Sequence, residues 1–180
     1  MTDARSPLVR ALIAHPVLAA PGYPPPDHAP TGPAELFTAW LLDALAANVP
    51  DAQVLTLATV DAEGRPDARV LVLRDVQLLT ADWHFWTDPD SPKAAQLAAR
   101  PDAALTAYWP AHGRQVRLRG PVRPSPACPT PAPDLRCYAL HPDRAEFWQA
   151  GPDRHHLRRR HTRTPTGWTD TGWTDARLPG

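Results

Sequence analysis

The sequence predicts a mainly β protein with flanking helices, arranged as a small antiparallel barrel. Three observations lead there. Apolar and β-branched residues alternate with period two from residue 53 onward, turn residues interrupt these runs at short intervals, and one long segment, 34 to 48, repeats its apolar positions at helical spacing.

Residues 1 to 33 hold a short apolar patch, LVRALIAHPVLAA, followed by PGYPPPDHAPTGP, whose prolines rule out a continuous helix. They read as a loosely attached N-terminal arm, with residues 34 to 180 as one domain. Thr31 and Pro33 make a helix start, and Leu36, Phe37, Trp40, Leu41 and Leu45 recur on one face of AELFTAWLLDALAANV. QVLTLATV and PDARVLVLR then form two strands joined through DAEGR. DWHFWT, DAALTAYW and RQVRLRG add three more, the last with Val116 and Leu118 inward and Arg117 and Arg119 toward solvent. LRCYAL and AEFWQ bring the number to about seven. Residues 121 to 135 carry six prolines between 121 and 133 and read as a connector, neither helix nor central strand. TGWTDTGWTD is too short a repeat to imply a solenoid.

A chain of 180 residues with 43% apolar composition can build one real core. Nineteen basic and nineteen acidic residues cancel, which removes the long-range attraction to polyanions expected of a nucleic-acid binder. Lys93 is the sole lysine among the basic residues. Cys128 and Cys137 are too few for a disulfide framework and read as structural or incidental thiols. No transmembrane-length run and no signal-peptide pattern is seen, so a cytoplasmic protein with no membrane partner is expected.

Three stretches can carry chemistry. In WTDPDSPKAAQLAA, Ser91 can cap a helix that starts at Pro92, with Lys93 next, so a hydroxyl, backbone donors, a helix dipole and an ammonium converge as they would on a phosphate. An ordinary capped helix with a solvated lysine fits the same residues. In ARVLVLR, Arg69 and Arg74 are five apart and point to opposite faces of a strand. One can reach a ligand while the other pairs with an acid or a second subunit, or both can be solvated strand ends. In GPDRHHLRRRHTR, His155, His156 and His161 lack a metal-ligand spacing, so no metal is expected. Arg154 and His156 lie on one side of an extended chain and can grip an anion, unless this is simply a solvated basic loop. No GxSxG, Walker loop, HExxH or GxGxxG after a strand is present.

The order LTLATVDAEGRPDARVLVLRDV, WHFWTDPDSPK, YWPAHGRQVRLRGPV, AEFWQAGPDRHHLRRR, RLPG, preceded by ELFTAWLLDALAANVP, resembles the pyridoxamine 5'-phosphate oxidase family over residues 34 to 123 and 137 to 179. The resemblance implies an FMN-binding split β-barrel. It also implies a homodimer with FMN at the subunit interface, and oxidation of a phosphorylated pyridoxine-type substrate to pyridoxal 5'-phosphate with O2 as acceptor. Matched position by position, the family's FMN-lining strand falls on Arg69, Val70, Leu71, Val72, Leu73 and Arg74. Its aromatic-Thr pair falls on Trp86 and Thr87, its phosphate contacts on Ser91 and Lys93, and its remaining FMN contacts on Gln115, Trp148 and Arg158. The R-x-H pair for substrate and catalysis falls on Arg154 and His156, with His155 between them and Arg74 also on the substrate side. Arg159, Arg160 and Arg163 receive no role.

Three departures accompany the resemblance. Arg74 stands where the family has a lysine, Pro92 replaces an arginine at the FMN phosphate, and the proline connector replaces a segment whose Tyr, Arg and Ser clamp the substrate phosphate. A flavin oxidoreductase acting on another small substrate and a noncatalytic flavin or pyridoxal phosphate binding protein are the alternatives.

Overall fold

The alternating runs form a barrel because the strand after the connector finds the strands before it. The computed structural model describes residues 7–14, 32–128, 130–151, 155–172 and 174–175. β1 (Val54–Val60) pairs antiparallel with β2 (Pro66–Gln77) and with β4 (Asp102–Trp109). β2 continues to β3 (Asp82–Thr87), and β3 to β6 (Arg136–Leu140). β5 (Arg114–Pro124) pairs with β4 and, over Val122 to Pro124, with β6, closing six strands in the order β1-β2-β3-β6-β5-β4.

β5 changes neighbours midway. Its first half, Arg114 to Arg119, pairs with β7 (Arg144–Gln149), and its last residues pair with β6. The changeover falls at Gly120, where a Cβ would stand 2.3 Å from the His141 carbonyl oxygen and 2.9 Å from Pro142 Cα. Only a hydrogen fits there. The sheet extends from β7 to β8 (Leu157–Thr164), which pairs in turn with β9 (Gly167–Asp170) and β10 (Thr174–Asp175).

Two sequence expectations change here. Pro121 to Pro124 belong to β5, so the connector proper begins at Ser125. Pro121 is tolerated because it contributes a carbonyl, to His141 N–H at 2.9 Å, while Val122 supplies the next donor, to Pro101 O at 2.8 Å. The described strands also exceed the expected seven by β8, β9 and β10.

The barrel interior takes one face of each strand, with Leu55, Leu57, Phe85, Leu105, Val116 and Leu118 almost fully buried and Arg117 and Arg119 outside, as the alternation requires. Among the three described α-helices, α1 (Pro7–Ala14) exposes Leu8 and Val9. The rest of the N-terminal arm, Thr31 included, lies outside the described residues. α2 (Pro33–Ala46) begins at the extended Gly32 with Pro33 in its first turn, where a missing N–H costs nothing. It ends as Asn48 turns left-handed at φ 54°. α2 closes the barrel: Phe37 meets Trp83 edge-on at 5.6 Å and Trp109 at 5.8 Å, and Trp40 meets Phe147 at 5.3 Å. Leu45, expected on this face, is 45% exposed. It follows Leu36 by about two and a half turns and so points the opposite way. Among the described residues no helix is long and apolar enough to cross a membrane.

Candidate functional site

β2 carries a bulge between Leu73 and Asp75, and Arg74 occupies it. The bulge aims the Arg74 guanidinium over the indole of Trp86, 4.3 Å from the ring centroid. Thr87 follows on β3, its hydroxyl 3.3 Å from that of Ser91. Ser91 is the N-cap residue of α3 (Pro92–Ala99), but its hydroxyl turns back to Asp88 O at 2.7 Å and does not cap. The expected capping bond is thus replaced by a turn bond, because Asp88-Pro89-Asp90 folds under the serine and offers a nearer carbonyl. Lys93, half-buried in the first turn, forms no ion pair among the described residues.

Arg69 points the other way, as five-residue spacing demands. Its guanidinium reaches Thr59 Oγ1 at 2.5 Å, Gln96 Oε1 at 2.8 Å and Asp67 Oδ2 at 2.5 Å. Gln96 on α3 also donates to Asp67 at 3.2 Å and accepts from the Thr59 hydroxyl at 2.6 Å. That hydrogen bond from Gln96, followed by the Arg69 charge, holds the Asp67 carboxyl below its usual range. Gln96 therefore locks α3 against β1 and β2. Of the other residues on this strand, Val70 is 68% exposed and Val72 half-buried on the outer face, while Leu71 and Leu73 enter the core.

A second group stands on the outer face of β4, β5, β7 and β8. Tyr108, Gln115, Trp148 and Arg158 are direct cross-strand neighbours in one row. His156 is 3% exposed, its ring 4.8 Å from that of Trp148, and it accepts Gly151 N–H at Nδ1 at 3.3 Å. The neutral ring accordingly carries its proton on Nε2. Gly151 passes so close to the following residues that a Cβ would lie 1.8 Å from His155 O. His155 is exposed, and Arg154 lies outside the described residues.

Beside this row, Glu146 is only 4% exposed and gathers four arginines. Arg117 bonds it directly, Arg160 lies at 3.1 Å, Arg144 at 3.4 Å and Arg158 at 3.7 Å. Burial alone would raise the carboxyl, but bonds from Arg117 and Arg160 and the charges of Arg117 and Arg158 hold it below its ordinary value. The other arginines of the basic stretch are also engaged: Arg159 with Asp170, and Arg163 with Pro142 O and the Trp168 ring. Glu146, Gln96 and Tyr108 escaped the sequence reading. For Glu146 a signal existed, an acid on the outer-facing parity of a strand flanked by basic strands.

The two groups do not share a face. β2 and β5 lie three strand spacings apart whichever way the six-stranded ring is followed, about 14 Å along the sheet. Their outward side chains point away from one another across the barrel. The structure therefore brings Arg74, Trp86, Thr87, Ser91 and Lys93 together, and separately Gln115, Trp148, His156 and Arg158.

Residues 41–157 match the family model described as pyridoxamine 5'-phosphate oxidase. The chain belongs to the pyridoxamine 5'-phosphate oxidase family. Residues 136–179 match this family's C-terminal dimerisation region. A pyridoxine/pyridoxamine 5'-phosphate oxidase of Pseudomonas syringae pv. syringae is 48% identical over 95 residues, 52% of this chain and 43% of that protein. The enzyme of the same description from Hyphomonas neptunium is 45% identical over 92 residues, 51% and 41% of the two chains. The match thus spans less than half the length of these curated relatives. Among solved structures, PhzG from Burkholderia lata 383 has a TM-score of 0.75 at 24% identity, covering 86% of this chain and 97% of that one. A pyridoxamine 5'-phosphate oxidase-related, FMN-binding protein from Nostoc punctiforme has a TM-score of 0.68 at 22% identity, covering 83% and 100%. Both share the fold: a split barrel, mainly β, with helices at its flanks.

Proposed function

We propose that this chain is a cytoplasmic FMN-dependent oxidase whose substrate is a small phosphorylated pyridoxine-type molecule and whose acceptor is O2. In a member of this family, the observation that carries the reading is the uncommitted Lys93 ammonium beside the Ser91 hydroxyl at the start of α3, next to an indole already paired with Arg74. A cation and a hydroxyl at a helix N-terminus suit a phosphate, and the adjoining aromatic and arginine suit a flat conjugated ring. FMN is the cofactor. Bound there, it would supply the hydride-accepting chemistry, with dioxygen as the final acceptor and hydrogen peroxide as the by-product.

Lys93 and Ser91 hold the phosphate of FMN, and the backbone of the strand from Arg69 to Arg74, Leu71 and Leu73 included, with the outward side chains of Val70, Val72 and Arg74, lines it together with Trp86 and Thr87. Gln115, Trp148 and Arg158 reach the flavin from a second copy of the chain, because within one copy they face away. The homodimer follows from that geometry and from the match to a dimerisation region. Arg154, His155 and His156, with Arg74, orient the substrate, and His156 presents its Nε2–H as a hydrogen-bond donor. Holding the flavin phosphate and the substrate in one site makes the transfer effectively intramolecular.

A noncatalytic flavin-binding protein is the second reading, favoured by the connector: Ser125, Cys128 and their neighbours cover the outer face of β3 and β6 where a substrate clamp is expected. The test is to load the protein with FMN, add pyridoxamine 5'-phosphate and measure peroxide. Release of peroxide supports the oxidase, whereas bound flavin without turnover supports the binding protein. A chain that fails to take up FMN overturns both. Lys93→Ala should weaken FMN binding by about 10-fold or more, the worth of one charge-assisted contact. Arg154→Ala should leave flavin bound and reduce turnover, and the reverse pattern would refute these assignments.

A further inference from the structure

The two cysteines, nine positions apart across the proline connector, meet in the folded chain. Cys128 and Cys137 are 8% and 5% exposed, the Cys137 thiol donates to Tyr138 O at 3.8 Å, and Cys128 lies close enough to that thiol to help raise it. Cys137 sits on the outer face of β6 opposite Trp86, whose indole N–H donates to Cys128 Sγ at 2.9 Å. Ser125 N–H fixes the start of the connector on Cys137 O at 2.9 Å, and its hydroxyl lies 3.3 Å from His84 Nε2. A cavity of about 420 Å3, lined by Ser125, Cys128, Thr130, Arg136 and Cys137 among others, opens onto the pair.

We propose that Cys128 and Cys137 are a peroxide-responsive dithiol that closes reversibly into a disulfide within one chain. A cavity of this size admits hydrogen peroxide, both cysteines line it, and one sulfur has a donor that stabilises negative charge on it. Burial raises the Cys137 thiol to about 12, with the neighbouring Cys128 adding to the shift. Cys128, with the Trp86 donor, is therefore the sulfur that reacts first.

Its thiolate attacks one oxygen of peroxide, the O–O bond breaks, and Cys128 sulfenic acid and hydroxide result. The hydroxide takes up the proton that Cys128 released, giving water. The Cys137 sulfur then attacks the Cys128 sulfur, the S–O bond breaks, and a second water leaves with the Cys137 proton. Two thiols lose two electrons and one peroxide becomes two waters. In a reducing compartment such a pair is reset by thiols, as cytosolic disulfides that act as sensors are. The origin of the peroxide in turnover rests on the oxidase reading, but the dithiol does not.

The experiment treats the reduced, FMN-loaded full chain with added hydrogen peroxide, then counts thiols after denaturation and maps the peptides. Both thiols should disappear together, the intact mass should fall by two hydrogens, and one peptide should link positions 128 and 137 until dithiothreitol is added. Cys137→Ser should leave a sulfenic acid on Cys128 that a dimedone probe traps, and Cys128→Ser should slow loss of the remaining thiol by about 10-fold or more. Oxygen addition without the link, a link between chains, or equal reactivity of the two single variants overturns the proposal. Substrate turnover with and without catalase forms a separate arm. A link that forms with added peroxide but never during turnover leaves the dithiol standing and counts against the oxidase.

Discussion

His161 is fully buried on β8, its ring edge-on to Phe147 at 5.5 Å, and neither ring nitrogen has a hydrogen-bond partner among the described residues. Burial drives its pKa from 6.5 to about 4; the Asp170 charge opposes this and the Arg159 charge assists it. The unfolded chain thus takes up a proton at a pH where the folded chain refuses it. Stability linked to His161 is whole above the unfolded value of 6.5, declines as pH falls, and is fully lost once pH passes below about 4. The whole span is worth about 3 kcal/mol, of which about 2 kcal/mol is lost between roughly pH 7 and 5. His161→Leu keeps the volume and removes the proton. Urea unfolding of both proteins at these two pH values, at equal protein concentration and FMN loading, reads the difference directly. The wild type should lose about 2 kcal/mol more than the variant on going from pH 7 to 5. His84 and His112, also lowered by burial, respond alike in both proteins and cancel in the comparison. Equal losses would mean that His161 is not held neutral, and the reasoning from its isolation would fail.

Gly120→Ala must push back the backbone of His141 to Asp143, and a loss of about 2 to 3 kcal/mol in unfolding free energy is expected by urea titration. A change under half of that would show that the close approach relaxes freely. Glu146→Gln leaves four guanidiniums facing one another, which should cost about 1 to 2 kcal/mol at low salt because these arginines are partly solvated. Added salt should narrow the deficit, and a salt-independent gap would point to packing instead. Gly151→Ala should displace His155 and His156 while sparing Lys93, so peroxide release should fall on the order of 100-fold with FMN still bound. Unchanged turnover would remove His156 from the substrate wall.

Strands β1 to β7 were legible because each carries its apolar residues on alternate positions. α2 was legible through Leu36, Phe37 and Trp40. β8 was not: its inward positions hold Arg159 and His161, so the run LRRRHTRT shows no apolar alternation. The compensating groups lie elsewhere, Asp170 eleven residues later and Glu146 on the preceding strand. The opposite directions of Arg69 and Arg74 followed from strand geometry, yet the bulge that seats Arg74 over Trp86 did not, since a register shift depends on the partner strand. Ser91 and Lys93 were visible as a helix start. The separation of the two site groups across the barrel was hidden, because ring closure joins β3, β5 and β6 over distances that local periodicity does not encode. The meeting of Cys128 with Cys137 was hidden by the prolines between them.

Gly120 lets one continuous strand serve two neighbourhoods, with β4 on one edge and β7 then β6 on the other. The barrel and its extension consequently have no seam at which one can melt while the other stays intact. Opening either strips hydrogen bonds from the same eleven residues of β5. The two site groups are mounted on a single cooperative unit, and the amides of β5 belong to the class that exchanges with solvent only through global unfolding.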